Sequence, residues 1–141
     1  MVEQAARTDN PVVLVVEDDP PVRELLQDVL GEIDYEVVAV SDAAAALLLM
    51  TTVRVDLITL DLDLPGLTGS DFLQLIHSRS SPVPPVIIIT STAPVSRELQ
   101  ARAAAVLTKP FDVDMLIATI RAILLEASSP TSDEAERSAG E

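Results

Sequence analysis

Short apolar runs alternate with longer amphipathic stretches along most of the chain. Val12–Val16 reads VVLVV, a β-branched run with no polar interruption. Val22, Leu25, Leu26, Val29 and Leu30 then fall at i, i+3, i+4, i+7 and i+8, the stripe of an amphipathic helix, and Gly31 stops it. Glu36–Val40 reads as a second strand. Ser41 or Asp42 can cap a helix running through Met50. Residues 55–60 read as a third strand, and residues 70–79 as a helix with Phe72, Leu75 and Ile76 on one face. Val86–Thr90 is a fourth strand, and Pro94 can open a short helix through Ala101. Val106 and Leu107 lie in a fifth strand, and Asp112 caps a last helix through Glu126. In that helix Val113, Leu116, Ile117, Ile120 and Leu124 form the core stripe, with Met115, Ile123 and Leu125 off it.

Strands that lack polar alternation are covered on both faces. Five alternating strand–helix units therefore predict an α/β fold: a parallel sheet between two helical layers, joined by right-handed crossovers. Outside the alternation, residues 1–10 are polar and read as a flexible N-terminus. Residues 127–141 (ASSPTSDEAERSAGE) read as a disordered tail or a truncated linker. The ordered domain is then 11–126.

Composition narrows the function. The 141 residues suit one domain. Nine Lys+Arg against 23 Asp+Glu give a net charge of −14, a poor match for direct binding to nucleic acid or an anionic membrane. Aromatic residues at 2% argue against a stacking platform for single strands. The absence of cysteine removes thiolate chemistry and fits a reducing compartment. The N-terminus MVEQAARTDN lacks a signal peptide's basic and apolar regions, and the longest apolar run, residues 43–50, is too short to span a membrane. A cytoplasmic location is expected.

Open parallel sheets bind ligands beyond the carboxyl ends of their strands. Glu17, Asp18 and Asp19 follow the first strand; Asp61 and then Asp63 follow the third. Thr90 and Ser91 end the fourth, and Thr108, Lys109 and Pro110 the fifth. One edge thus gathers carboxylates, hydroxyls and an ammonium. Clustered carboxylates repel unless a cation joins them, and an oxygen-only donor set points to a hard ion such as Mg²⁺. A carboxylate not engaged by the metal could attack phosphorus. Eight of the nine basic residues are Arg and Lys109 is the single Lys, which suits a position wanting a compact ammonium.

At this point the residues resemble the receiver domain of two-component response regulators. VDLITLDLDLPGLTG (residues 55–69) resembles the family's third-strand motif, an Asp followed four residues later by Pro and eight later by Gly. VVEDDPPVR resembles the acidic pair after strand one, VIIITS the switch hydroxyl after strand four, and TKPF the Lys-Pro after strand five. The resemblance implies a flavodoxin-like (βα)5 three-layer sandwich with sheet order 2-1-3-4-5, as a stand-alone receiver. It implies Asp61 as phospho-acceptor, and Mg²⁺ (or Mn²⁺) held by Asp18 directly, Glu17 through water, Asp61 and the backbone carbonyl of Asp63. Thr90 is then the switch hydroxyl and Lys109 the phosphoryl-binding lysine, and the Lys109–Pro110 bond is similar to one often cis in the family. The implied partners are a histidine kinase or a histidine phosphotransfer protein, and an output protein.

Three positions depart from the family pattern. Val106 stands where an aromatic residue is usual. Asp63 adds a carboxylate whose charge bears on phosphoryl lifetime. RAAA, residues 102–105, replaces a common glycine. Met115, Ile123 and Leu125 add a possible homodimer surface within 94–126. The chain is expected to be a signalling domain rather than an enzyme. LDLDLPG also resembles the DxD of haloacid-dehalogenase-type phosphatases, but two strand–helix units precede it here and about 80 residues follow. A constitutive, never-phosphorylated interaction module and the receiver half of a truncated DNA-binding regulator are the other readings.

Overall fold

A computed structural model describes residues 10–79, 82–92 and 94–127. Five strands, β1 (Val12–Val16), β2 (Glu36–Val40), β3 (Leu57–Leu60), β4 (Val86–Thr90) and β5 (Ala105–Thr108), form one sheet in the order β2-β1-β3-β4-β5. Every neighbouring pair is parallel. The helices are α1 (Pro20–Gly31), α2 (Ala43–Leu49), α3 (Gly69–Arg79), α4 (Arg97–Arg102) and α5 (Val113–Ala127). Fold class and strand order agree with the sequence reading. The expected flexible N-terminus and disordered tail lie outside the described residues, except for Asn10 and Ala127.

The strand period of two divides the core into two layers. Leu14, Val16, Ile58, Leu60 and Ile88 face α2 and α3, packing with Ala43, Ala46, Phe72, Leu73 and Ile76. Val13, Val15, Leu57, Ile87 and Ile89 face the other way, packing with Leu26 and Leu30 of α1 and Leu116 and Ile120 of α5. The uninterrupted apolar runs of β1 and β4 thus have both faces covered.

Helix starts follow local side-chain chemistry. Asp42 caps α2 by accepting from the Ala45 N–H at 2.7 Å. Thr68 accepts from the Asp71 N–H at 3.0 Å at the start of α3, and Asp112 from the Asp114 N–H at 2.9 Å at the start of α5.

Several boundaries differ from the sequence expectation. The third strand begins at Leu57 rather than residue 55, because Asp56 receives the Val12 N–H on its carboxylate (2.8 Å) and also pairs with Arg54. The fourth helix begins at Arg97, not Pro94, because the Ser96 hydroxyl accepts from the Leu99 N–H at 3.2 Å. Leu25 fits the helical stripe of α1 yet is 41% exposed; only Leu26 and Leu30 are buried there. In α3, Leu73 is buried and Leu75 only half-buried. In α5, Ile123 packs against the core, whereas Met115 and Leu125 remain exposed. Among the described residues no helix is long and apolar enough to cross a membrane.

The two adjacent leucines of α1 separate packing from pattern. Leu26→Ala should lower the unfolding free energy by about 2–5 kcal/mol, as for a buried leucine truncation. Leu25→Ala should cost less than about 1 kcal/mol, as for a surface change. Urea unfolding curves read both, and equal losses would contradict the placement.

Candidate functional site

The hydrogen-bond ladder of the sheet runs one residue past three strands, and those residues carry the chemistry. The Glu17 N–H donates to the Val40 carbonyl (3.1 Å), the Asp61 N–H to Val16 (3.1 Å) and the Lys109 N–H to Thr90 (2.9 Å). Glu17, Asp61 and Lys109 are therefore fixed by strand register before any side chain interacts. Thr90 is the last residue of β4 and is fully buried.

The side chains converge at this edge. The Lys109 ammonium donates to Glu17 Oε2 and to Asp61 Oδ2, each at 2.9 Å. Asp61 is 4% exposed; its other oxygen, Oδ1, accepts from the Asp63 N–H at 3.0 Å. Glu17 Oε2 also accepts from the Asp19 N–H at 3.2 Å. Carboxylate oxygens of Glu17, Asp18 and Asp61 lie within 4.8 Å of one another, with Asp18 exposed. Thr90 Oγ1 accepts from the Thr92 N–H at 3.2 Å. The Asp63 carboxylate turns outward and accepts from the Thr92 hydroxyl, tying the loop after β3 to the loop after β4. The Lys109–Pro110 peptide is cis.

Sequence reasoning placed Glu17, Asp18, Asp61, Thr90 and Lys109 at one edge, and the structure brings them together there. Val106 is half-buried in β5 and packs against the layer beneath α3 and α4. Two features escaped the sequence reading. Arg23 donates to the Glu17 backbone carbonyl at 2.9 Å. Thr92 bridges to Asp63. The N-terminus of α3 presses on the site: a Cβ on Gly69 would lie 2.5 Å from the Asp61 carbonyl oxygen and 2.7 Å from the Leu62 Cα. That explains glycine at this position, because any side chain would force α3 off the acidic residue. Neither Arg23 nor Thr92 carries a sequence signal, since each acts through a backbone carbonyl or a loop placed by the fold, whereas Gly69 is the glycine of the third-strand motif.

Charge governs the site. Three carboxylates share one ammonium. Burial pushes the Glu17 carboxyl up from 4.5 to about 7; the Lys109 hydrogen bond opposes this, and Asp61 reinforces it. Burial alone would push Lys109 down, but its hydrogen bonds to Asp61 and Glu17 outweigh that and its net shift is upward. The donor set is all oxygen, carries excess negative charge and has one exposed member, Asp18. Such a set fits a hard divalent cation that keeps part of its water shell.

A groove of about 1060 Å³ lies at the opposite edge of the sheet. Tyr35, Arg54, Arg121 and Leu124 are among its lining residues, and none of the acidic site residues borders it.

Comparison with known proteins gives a consistent result. A profile of the response regulator receiver domain matches residues 13–121. The sensory transduction protein RegX3 of Mycobacterium tuberculosis is 33% identical over 123 residues, covering 86% of this chain and 54% of RegX3. The DNA-binding response regulator MtrA of Mycolicibacterium smegmatis is 36% identical over 114 residues, covering 79% of this chain and 50% of MtrA. The chain thus spans about half the length of these relatives. Among solved structures, the CheY-like receiver domain protein of Methanospirillum hungatei superposes with a TM-score of 0.80 at 25% identity, covering 86% and 99% of the two chains. The response regulator TrrA of Thermotoga maritima, solved in complex with Mg(2+)-BeF, gives 0.73 at 27% identity, covering 80% and 98%.

The raised Glu17 value has a measurable consequence for the metal-free protein. Between pH 4.5 and about 7 the folded chain holds the Glu17 proton more tightly than the unfolded chain does. Its contribution to stability is complete below pH 4.5 and is lost as pH rises through about 7. Glu17→Gln should therefore flatten the stability profile across that window, measured as urea midpoints in the presence of a chelator. Parallel profiles for the two proteins would contradict the assignment.

Proposed function

Because the chain belongs to the response regulator receiver domain family, we propose that it is a phospho-acceptor signalling switch with Asp61 as the acceptor. The observation that carries this reading is the setting of Asp61. Its carboxylate is buried, held between the Lys109 ammonium and the Asp63 N–H, and surrounded by the other acidic residues at the edge where open sheets bind ligands. In the reaction an Asp61 oxygen attacks the phosphorus of a phosphohistidine on a histidine kinase or phosphotransfer protein. A P–O bond forms and the P–N bond breaks, and the imidazole leaves neutral because its other ring nitrogen already bears a proton. Water later hydrolyses the acyl phosphate, releasing inorganic phosphate and returning the carboxylate.

The residues present fit a divalent cation. Asp18, Asp61 and the Asp63 backbone carbonyl would hold Mg²⁺ or Mn²⁺ directly, with Glu17 acting through water. The ion would neutralise charge on the phosphoryl oxygens. That TrrA is solved with Mg(2+)-BeF supports this assignment. Lys109 already carries its positive charge at the acceptor oxygen and would follow that charge onto the phosphoryl group. Thr90 receives a hydrogen bond from the Thr92 N–H and keeps its own proton to donate to a phosphoryl oxygen. In the resting state the Asp63–Thr92 bond joins the two loops that such a donation would shift.

In this reading residues 11–126 act as the receiver, and the output is an altered surface for a partner protein. Exposed Met115 and Leu125 support a homodimer or partner surface within residues 94–126. MtrA is a DNA-binding response regulator of which this chain matches about half, which favours a second reading in which the switch governs a DNA-binding module.

Intact-mass measurement after incubation with a small-molecule phosphodonor tests the acceptor. Wild type should gain one phosphoryl group in Mg²⁺ and none in a chelator, and Asp61→Asn should gain none. A gain by Asp61→Asn, or no gain by wild type in Mg²⁺, would overturn the assignment.

A further inference from the structure

The turn that presents Glu17 and Asp18 is only three residues long, from the end of β1 at Val16 to the start of α1 at Pro20. The usual means of fixing such a turn is an N-cap side chain accepting from the helix's first free N–H groups. It is missing here. Asp19 occupies the N-cap position but makes no side-chain cap hydrogen bond. The next two residues, Pro20 and Pro21, have no N–H to offer. The Asp19 N–H does bond within the turn, but to the Glu17 side chain, which Lys109 also engages.

Among the described residues the Arg23 N–H bonds the Asp19 carbonyl at 2.9 Å, and one side-chain contact holds the turn's backbone from the helix side. Arg23 projects from the first part of α1, and its guanidinium donates to the Glu17 carbonyl oxygen at 2.9 Å. That carbonyl belongs to the planar peptide joining Glu17 to Asp18. Holding the oxygen constrains that plane, which carries the Asp18 N and Cα, and so restricts the directions in which the Asp18 side chain can leave the backbone. Near a helix N-terminus the Arg23 charge opposes the helix dipole, and the acidic turn Glu17–Asp18–Asp19 offsets this. The carbonyl contact gives the guanidinium a specific partner in that turn.

We infer that Arg23 is a positioning residue for the acidic site: it holds the Glu17–Asp18 peptide so that the Asp18 carboxylate faces a divalent cation shared with Asp61. This rests on the metal-binding reading of the site given above. Two effects of Arg23 on metal affinity have opposite signs. Its charge repels a bound cation, so a purely electrostatic bystander would tighten metal binding when removed. An anchor of the turn would weaken binding when removed, although a positive charge has been lost.

The experiment is Mn²⁺ titration of the full 141-residue chain, following free Mn²⁺ by electron paramagnetic resonance. Wild type, Arg23→Ala, Arg23→Lys and Asp18→Asn are compared, with urea midpoints taken in a chelator. Arg23→Ala should weaken Mn²⁺ binding by about tenfold, the low end for loss of a group that orients a metal ligand. Arg23→Lys, which keeps a donor, should recover most of the loss. Arg23→Ala binding Mn²⁺ as tightly as wild type, or more tightly, would overturn the inference. So would a lowered urea midpoint with unchanged affinity, which marks a role in folding alone. Asp18→Asn separates the two layers. If it leaves Mn²⁺ binding intact, the metal site itself is misassigned; if it abolishes binding while Arg23→Ala does not weaken it, only the role of Arg23 fails.

Discussion

One ammonium group holds the chemistry of this protein together. Lys109 lies 2.9 Å from both Glu17 and Asp61, two carboxylates that would otherwise repel across a space closed to solvent. A charge in such a place is tolerated only when paired and hydrogen-bonded. The pairing is incomplete, because a third carboxylate, Asp18, stands within 4.8 Å of the other two and the lysine cannot neutralise all three. Burial raises the proton affinity of Glu17, and the neighbouring Asp61 charge reinforces it. The unbalanced charge makes the site receptive to a further cation and, on the present reading, to a phosphoryl group brought in with it.

The fold makes that geometry cheap to maintain. Lys109 and Glu17 are separated by 92 positions in the chain, yet each follows the last residues of a strand and is held by a backbone bond to its neighbour strand. Register, not side-chain search, brings them together. The strands β1, β3 and β4 are buried on both faces, and a shift of one residue would exchange the side chains that fill the two core layers. The loops after β3 and β4 have no such constraint. They touch through Asp63 and Thr92, both exposed, while Leu64 and Val95 anchor the same loops in the core. On the proposed reading, a rigid edge that fixes the reacting groups, flanked by loops joined through one exposed contact, suits a switch.

The legibility of the sequence follows the same division. Strands β1 and β4 announced themselves because nothing polar interrupts them. Asp61, Glu17 and Lys109 stood out because a charged residue directly after a buried strand needs a reason. Readings failed where a side chain overrode the pattern: Asp56 receives a sheet donor on its carboxylate and delays β3, and Ser96 rather than Pro94 fixes the start of α4. They failed again where a helical stripe is wider than the surface it meets, so that Leu25 and Leu26 look alike in sequence but only Leu26 is covered. Arg23 and Thr92 were invisible because each acts through a backbone group or loop placed by tertiary structure, whereas the motif glycine at 69 marked the close approach that the structure shows. Val106, which stands where the family pattern has an aromatic ring, is half-buried against the core.

The central claim is that these carboxylates are held in an electrostatically unsatisfied state that a divalent cation relieves. A carbon-13 NMR titration of the Glu17 side-chain carboxyl, in chelator and in excess Mg²⁺, tests it most directly. The account predicts a midpoint near 7 without metal. With Mg²⁺ the midpoint should move well down, because the cation stabilises the ionised form. A Glu17 carboxyl that titrates close to 4.5 in chelator, or whose midpoint does not respond to Mg²⁺, would contradict the account.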